Sequence, residues 1–244
     1  MEDVREEGQT TTEHAIERVR EAILCGEIPP GARLHQVSLA ERFGISRTPL
    51  RAALVALSHS GLVTYESNRG YRVRELSREQ LNDAFMIRAE IEALACRLAA
   101  NRITADEVHE LHQLVDEGEN FLESGHLPQD KQVPYQKNNS RFHTLIQDAA
   151  RSPWVTEFAS SLRNVMLSSD RTVLWNDFHL LKRMQDDHRR IVRLLETREA
   201  QKAENAMREH VIFAQEQMLC GFRMEQSLRT MAETDALAQM PPEQ

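Results

Sequence analysis

Only Gly44-Ile45-Ser46 separates two stretches in which apolar residues recur at helical spacing, one ending near Phe43 and the other starting near Arg47. So short a connection holds two helices at a steep angle, in a helix-turn-helix. The reading sets a short helix over about 38–43, the turn at Gly44, and a third helix capped by Ser46 that runs to about Ser60 and stops at Gly61. Upstream, Thr11 or Thr12 caps a first helix with Ile16, Val19 and Ile23 on one stripe. Gly26 ends that helix, and Pro29-Pro30-Gly31 forbids its continuation. Downstream, two β-like runs, 63–67 and 71–73, flank Asn68-Arg69-Gly70 as a tight turn. The order is helix, helix, turn, helix, hairpin.

Beyond Arg74 the pattern becomes purely helical. Ser77 and Gln80 have capping-box spacing. Breaks near 101–104, 124–129, 152–153, 176–177 and at Thr197 divide the remainder into six helices, roughly 78–100, 105–123, 132–150, 153–175, 178–196 and 199–226. Aromatic residues are 5% of the chain, which suits helices better than sheet. The expected fold is mainly α: an N-terminal winged helix-turn-helix followed by an antiparallel bundle of about six helices. Its divisions are a flexible stretch 1–10, a first domain 11–75, a helical domain 76–227 and a frayed tail 228–244 ending near Pro241-Pro242.

Charge is divided between these halves. The chain carries a formal −8, yet the segment 28–74 holds seven arginines against Glu41 and Glu66. A basic segment in an acidic chain suits contact with double-stranded DNA through one face only. Cys25, Cys96 and Cys220 are far apart and lack CxxC spacing, no apolar run is long enough for a membrane helix, and the polar, acidic start does not read as a signal peptide. A reducing cytoplasm is the expected setting.

In a helix-turn-helix the first residues of the second helix meet base edges in the major groove. Here these are Arg47, Thr48 and Arg51, and arginine suits bidentate contact with guanine. Leu50, Ala53, Leu54 and Leu57 form the stripe that packs inward. Ile28-Pro29-Pro30-Gly31, then LAERFGISRTPLR, then GLV and NRGY, resemble the winged helix-turn-helix of the GntR family of bacterial regulators over about residues 12–74. The resemblance implies that Arg47, Thr48, Arg51 and the wing residues Arg69 and Gly70 contact DNA. The chain departs from the family pattern at Ala52, where Glu is frequent, and at Val37-Ser38, where some members carry Arg.

Residues 78–227 resemble, more loosely, the all-helical FCD-type ligand-binding domain of the FadR-like branch, through MIRAEIEALACRLAA, Phe142-His143 and Asp187-His188-Arg189-Arg190-Ile191. Asn139 and His143 lie four apart on one helix, His188 on a later helix and His210 on the last, and bundle helices bring such side chains to one interior point. In the metal-binding members of that branch an Asp or Asn and three His stand at positions matching 139, 143, 188 and 210. Such a set suits Zn²⁺, Ni²⁺ or another first-row divalent ion. Asn139 in place of the commoner Asp removes a negative charge. The resemblance also implies that Arg88 binds the carboxylate of a small organic-acid effector.

Each of these residues has a plainer reading: separate hydrogen-bonded histidines, and for Arg88 an ion pair with Glu90 or Glu92. His109 and His112 read as a solvated face, Met166, Met184 and Met218 as core, and Trp154 and Trp175 as packing near helix ends. The expected function is a ligand-responsive repressor that binds a pseudo-palindromic operator as a homodimer, without a membrane partner. A regulator for which the metal itself is the signal is the alternative, and a metal-dependent enzyme a weaker one, since no positioned base or GxSxG motif accompanies the histidines.

Overall fold

The computed structural model describes residues 11–24, 27–166 and 177–238. The expectations for 1–10, Cys25, Gly26, the Met166 side chain, Trp175, the break at Asn176 and the chain end at Pro241-Pro242 lie outside what is described. The first unit comprises α1 (Thr11–Leu24), β1 (Arg33–Leu34), α2 (Gln36–Phe43), α3 (Arg47–His59), β2 (Val63–Glu66) and β3 (Gly70–Val73). Gly44 ends α2 at φ 64° and donates its N–H back to the carbonyls of Ala40 and Glu41. That left-handed geometry costs glycine nothing and turns the chain sharply into α3. Ser46 stands at the N-cap of α3, but its side chain makes no capping hydrogen bond.

The hairpin turns through residues 67–69, with Glu66 opposite Gly70 and Asn68 at φ 63°. Asparagine is among the few residues that visit this region readily. The expectation missed β1, which pairs antiparallel with β3 through Arg33↔Arg72 and Leu34↔Tyr71. Two residues carry no readable alternation; tertiary pairing alone makes them a strand. Leu50, Ala53, Leu54 and Leu57 join Val19, Ile23 and Val63 in a core of their own.

The second unit is all helix: α4 (Arg78–Ala100), α5 (Ala105–Asn120), a 3-10 turn (Gln129–Lys131), α6 (Gln132–Ala149), α7 (Pro153–Met166), α8 (Phe178–Glu196) and α9 (Ala200–Ala238). Ser77–Gln80 and Thr104–Glu107 both form complete capping boxes. α4 and α9 pack along each other, α8 lies against α5 and α9, and α6 against α4 and α5. A separate core runs from Leu76 to Met218.

Helix α9 continues to Ala238, well beyond the end expected near 226. The sequence explains this, for no proline or glycine occurs between Phe222 and Pro241. Trp154 also departs from expectation: at the start of α7 it is 70% exposed and does not pack. No helix among the described residues is long and apolar enough to cross a membrane.

Candidate effector site and nucleic-acid face

Four helices meet where the buried histidines lie. His143 comes from α6, His188 from α8 and His210 from α9, each almost fully enclosed. One ligand atom from each lies within 4.8 Å of the others. His188 Nε2 and His210 Nε2 are 3.2 Å apart. A tetrahedral ion bound at the usual 2.0–2.1 Å to nitrogen would hold two such ligands about 3.3 Å apart, so this spacing already suits shared coordination. Phe142 stacks on His188 at 4.0 Å between ring centres and fixes that ring from behind.

Whether these residues fit a cation is decided by their unpaired atoms. Buried polar atoms almost always find partners. Here Asn139 Oδ1, His143 Nε2 and His210 Nδ1 are buried without a hydrogen bond among the described residues. Asp187 Oδ2 lies 3.7 Å from His210 Nδ1, too far for one. Burial pushes His143 down to about 4, outweighing the opposite pull of Glu92. His188 is held well below its ordinary value by burial and then by the neighbouring His210 and His143. Neutral imidazoles at the pH of a cell are the form that ligates metal. Unpaired Asn139 Oδ1 and His143 Nε2, with His188 Nε2 and His210 Nε2 close to each other, fit a divalent first-row ion, whereas His210 Nδ1 lies on the Asp187 side of its ring.

Asn139, His143 and His210 line a small cavity of about 60 Å³, with Arg88 and Tyr135 on its wall. That is room for several water-sized groups. Arg88 is already engaged there, donating Nε–H to Glu92 Oε1 at 2.6 Å. Glu92 in turn meets His143 Nδ1 through Oε2 at 2.5 Å. Burial alone would raise the Glu92 carboxyl, but Arg88 and His143 hold it far below the usual carboxylate range. The sequence reading treated Glu92 only as a pairing partner for Arg88 and missed its contact with His143. Its signal was legible: a glutamate in the inward stripe of α4, between Ala89 and Ala93 on one side and Cys96 on the other.

At the other end, Arg47, Thr48 and Arg51 are exposed on the first turns of α3. Arg69 is exposed in the hairpin loop, 3.9 Å from Glu66, and Gly70 opens β3. The basic segment is not uniformly available. Arg42 pairs with Glu27, while Arg72 and Arg74 donate to the carbonyls of Gly31 and Gly61. Among the described residues Arg47 and Arg51 take no part in any such bond. His109 is exposed, as a solvated face requires, but His112 is half-buried with Nε2 3.4 Å from Glu196 Oε2; Met184 and Met218 are buried.

Comparison with known proteins places both halves. The family model described as bacterial regulatory proteins, gntR family, matches residues 11–73, and the FCD domain model matches residues 83–213. The chain is 33% identical over 196 residues to the "Probable D-xylose utilization operon transcriptional repressor" of Paenarthrobacter nicotinovorans, covering 78% of this chain and 80% of that protein. It is 27% identical over 188 residues to the transcriptional repressor RspR of Escherichia coli, covering 75% and 78%. Among solved structures, E. coli McbR/YncC superposes with a TM-score of 0.70 at 22% identity, covering 89% of this chain and 99% of that one, which shows a shared fold.

Proposed function

The chain belongs to the GntR family of bacterial regulators, with an FCD domain as its second half, and on that premise we propose that it represses transcription until a small carboxylate binds beside a divalent metal in the helical half. That it is a DNA-binding transcriptional regulator, and not an enzyme, follows from the family and its relatives. In the proposal, Asn139, His143, His188 and His210 hold a Zn²⁺- or Ni²⁺-like ion, and Arg88 takes the carboxylate. The observation that carries it is the buried, unpaired pair Asn139 Oδ1 and His143 Nε2 beside the clustered rings of His188 and His210. Repression is proposed because two relatives are named repressors.

Operator binding by a homodimer presents two α3 helices to half-sites about 34 Å apart. Arg47, Thr48 and Arg51 read bases, and Arg69 with Gly70 forms the wing contact. Met86 and Ile87 on α4, with Trp154 and Phe158 on α7, are large apolar side chains left exposed, which favours a partner copy. The cytoplasm is the proposed setting, as transcription requires.

One observation favours a second reading, in which the metal ion alone is the signal. Arg88 already serves Glu92, and the cavity of about 60 Å³ is small for more than an ion and a few atoms.

The test is elemental analysis of chain purified without chelators, followed by binding to DNA upstream of its own gene. About one ion per chain, absent in the His143→Ala and His210→Ala variants, is the expected result. No metal after adding back zinc, nickel and manganese would sink the site. Release from DNA by metal alone selects the second reading, and release only on adding a small carboxylate selects the first.

A further inference from the structure

Glu92 is a carboxylate only 4% exposed, in the middle of α4, touching both Arg88 and His143. Its two oxygens are committed in different ways. Oε1 accepts the Nε–H of Arg88, and a guanidinium has donors only, so that contact has one possible direction. Oε2 lies 2.5 Å from His143 Nδ1, and an ionised carboxylate only accepts, so Nδ1 must carry hydrogen. A neutral imidazole has one ring proton. Placing it on Nδ1 leaves Nε2 as a bare lone pair, and Nε2 is the buried nitrogen without a partner.

The geometry points to Glu92 as the positioning residue of this site: it decides which ring nitrogen of His143 bears the proton and so makes Nε2 a ready donor to a divalent cation. A carboxylate behind a ligating histidine fixes tautomer and ring orientation together. Arg88 holds Glu92 in turn, so whatever draws on Arg88 reaches His143 through two hydrogen bonds. The consequence for metal rests on the function proposed above; the tautomer does not, and it can be read in metal-free protein.

Glu92→Gln makes the test sharp. Arg88 still demands an acceptor, so the amide must turn its oxygen to Arg88 and its NH₂ to His143. Nδ1 then becomes an acceptor, and the proton moves to Nε2, where it blocks coordination. The full-length chain, metal-free and labelled with ¹⁵N at histidine, is compared by long-range ¹H–¹⁵N correlation, with His143→Gln identifying the signals. The wild type is expected as the Nδ1–H tautomer and Glu92→Gln as the Nε2–H tautomer. Co²⁺, titrated alone against a competing chelator, is expected to bind Glu92→Gln about 10- to 100-fold more weakly.

If Glu92→Gln does not fold, the double variant Arg88→Met with Glu92→Met replaces both charges by apolar chains, and loss of the fixed Nδ1–H tautomer is expected there. A tautomer that switches in a chain that binds no Co²⁺ supports the role of Glu92 and overturns the metal site. Co²⁺ bound equally by wild type and variant, with the Nδ1–H tautomer unchanged in both, overturns the role of Glu92 and leaves the metal site standing.

Discussion

His143 shows how much one side chain's surroundings decide. Its ordinary value is near 6.5 and burial takes it to about 4, with His188 lowered for the same reason. In metal-free protein the folded chain therefore takes up these protons less readily than the unfolded chain. Above about pH 6.5 both states are neutral and nothing is lost. As pH falls from there towards 4, the unfolded state gains protons that the folded state refuses, and stability drops by about 1.4 kcal/mol per pH unit for each such histidine. Urea denaturation of the apo chain at pH 7, 6 and 5 should show the midpoint falling, and His188→Gln should fall less steeply. A flat profile would mean that the rings are not buried as neutral groups. Asn139 and the three histidines were legible as candidates because the chain resembles the metal-binding FadR-like regulators at those positions, and their helical spacing agreed with that. Their burial and the missing partners of Asn139 Oδ1 and His143 Nε2 were not, because pattern gives a helix face and no distances.

The elements of the first unit were almost fully written in local chemistry. Gly44, Asn68 and Gly70 adopt the left-handed backbone that their residue types permit, and the helices and hairpin follow from those punctuation points. Which arginines α3 and the wing leave available was a tertiary matter. Arg72 and Arg74 bind carbonyls within the unit, whereas Arg47 and Arg51 on α3 have no such bond among the described residues. Arg47→Ala or Arg51→Ala should therefore weaken specific operator binding by roughly 1–3 kcal/mol while leaving nonspecific binding nearly intact. Arg69→Ala should weaken binding across all sequences and lower the salt slope by about one unit. Fluorescence anisotropy on operator and scrambled DNA over a salt series separates the two. An Arg47→Ala variant that loses affinity equally for both DNAs would make Arg47 a phosphate contact.

At the scale of the whole molecule the hydrophobic core of the first unit is separate from those of the helical half, and an ion pair joins the two units. Lys137 on α6, two residues before Asn139, meets Glu21 on α1 at 2.6 Å. α1 packs on α3, so the helix bearing two of the candidate ligands touches the helix that supports the recognition helix. An exposed pair contributes about 0.2–1 kcal/mol. Lys137→Ala should thus change the ratio of operator affinities with and without metal by no more than about fivefold. A double-mutant cycle with Glu21→Ala measures it, and a coupling energy of zero would exclude this contact from signalling.

By itself the sequence determined the class of fold, the order of its elements and the side chains that chemistry could use. Periodicity, caps and left-handed turn residues are local properties, and local properties are carried in the order of residues. Only the tertiary structure decided that Arg88 is tied to Glu92, that Glu92 reaches His143, that β1 exists, and that Trp154 faces outward. Those outcomes depend on contacts between residues distant in the chain, and such contacts are fixed by how whole helices pack.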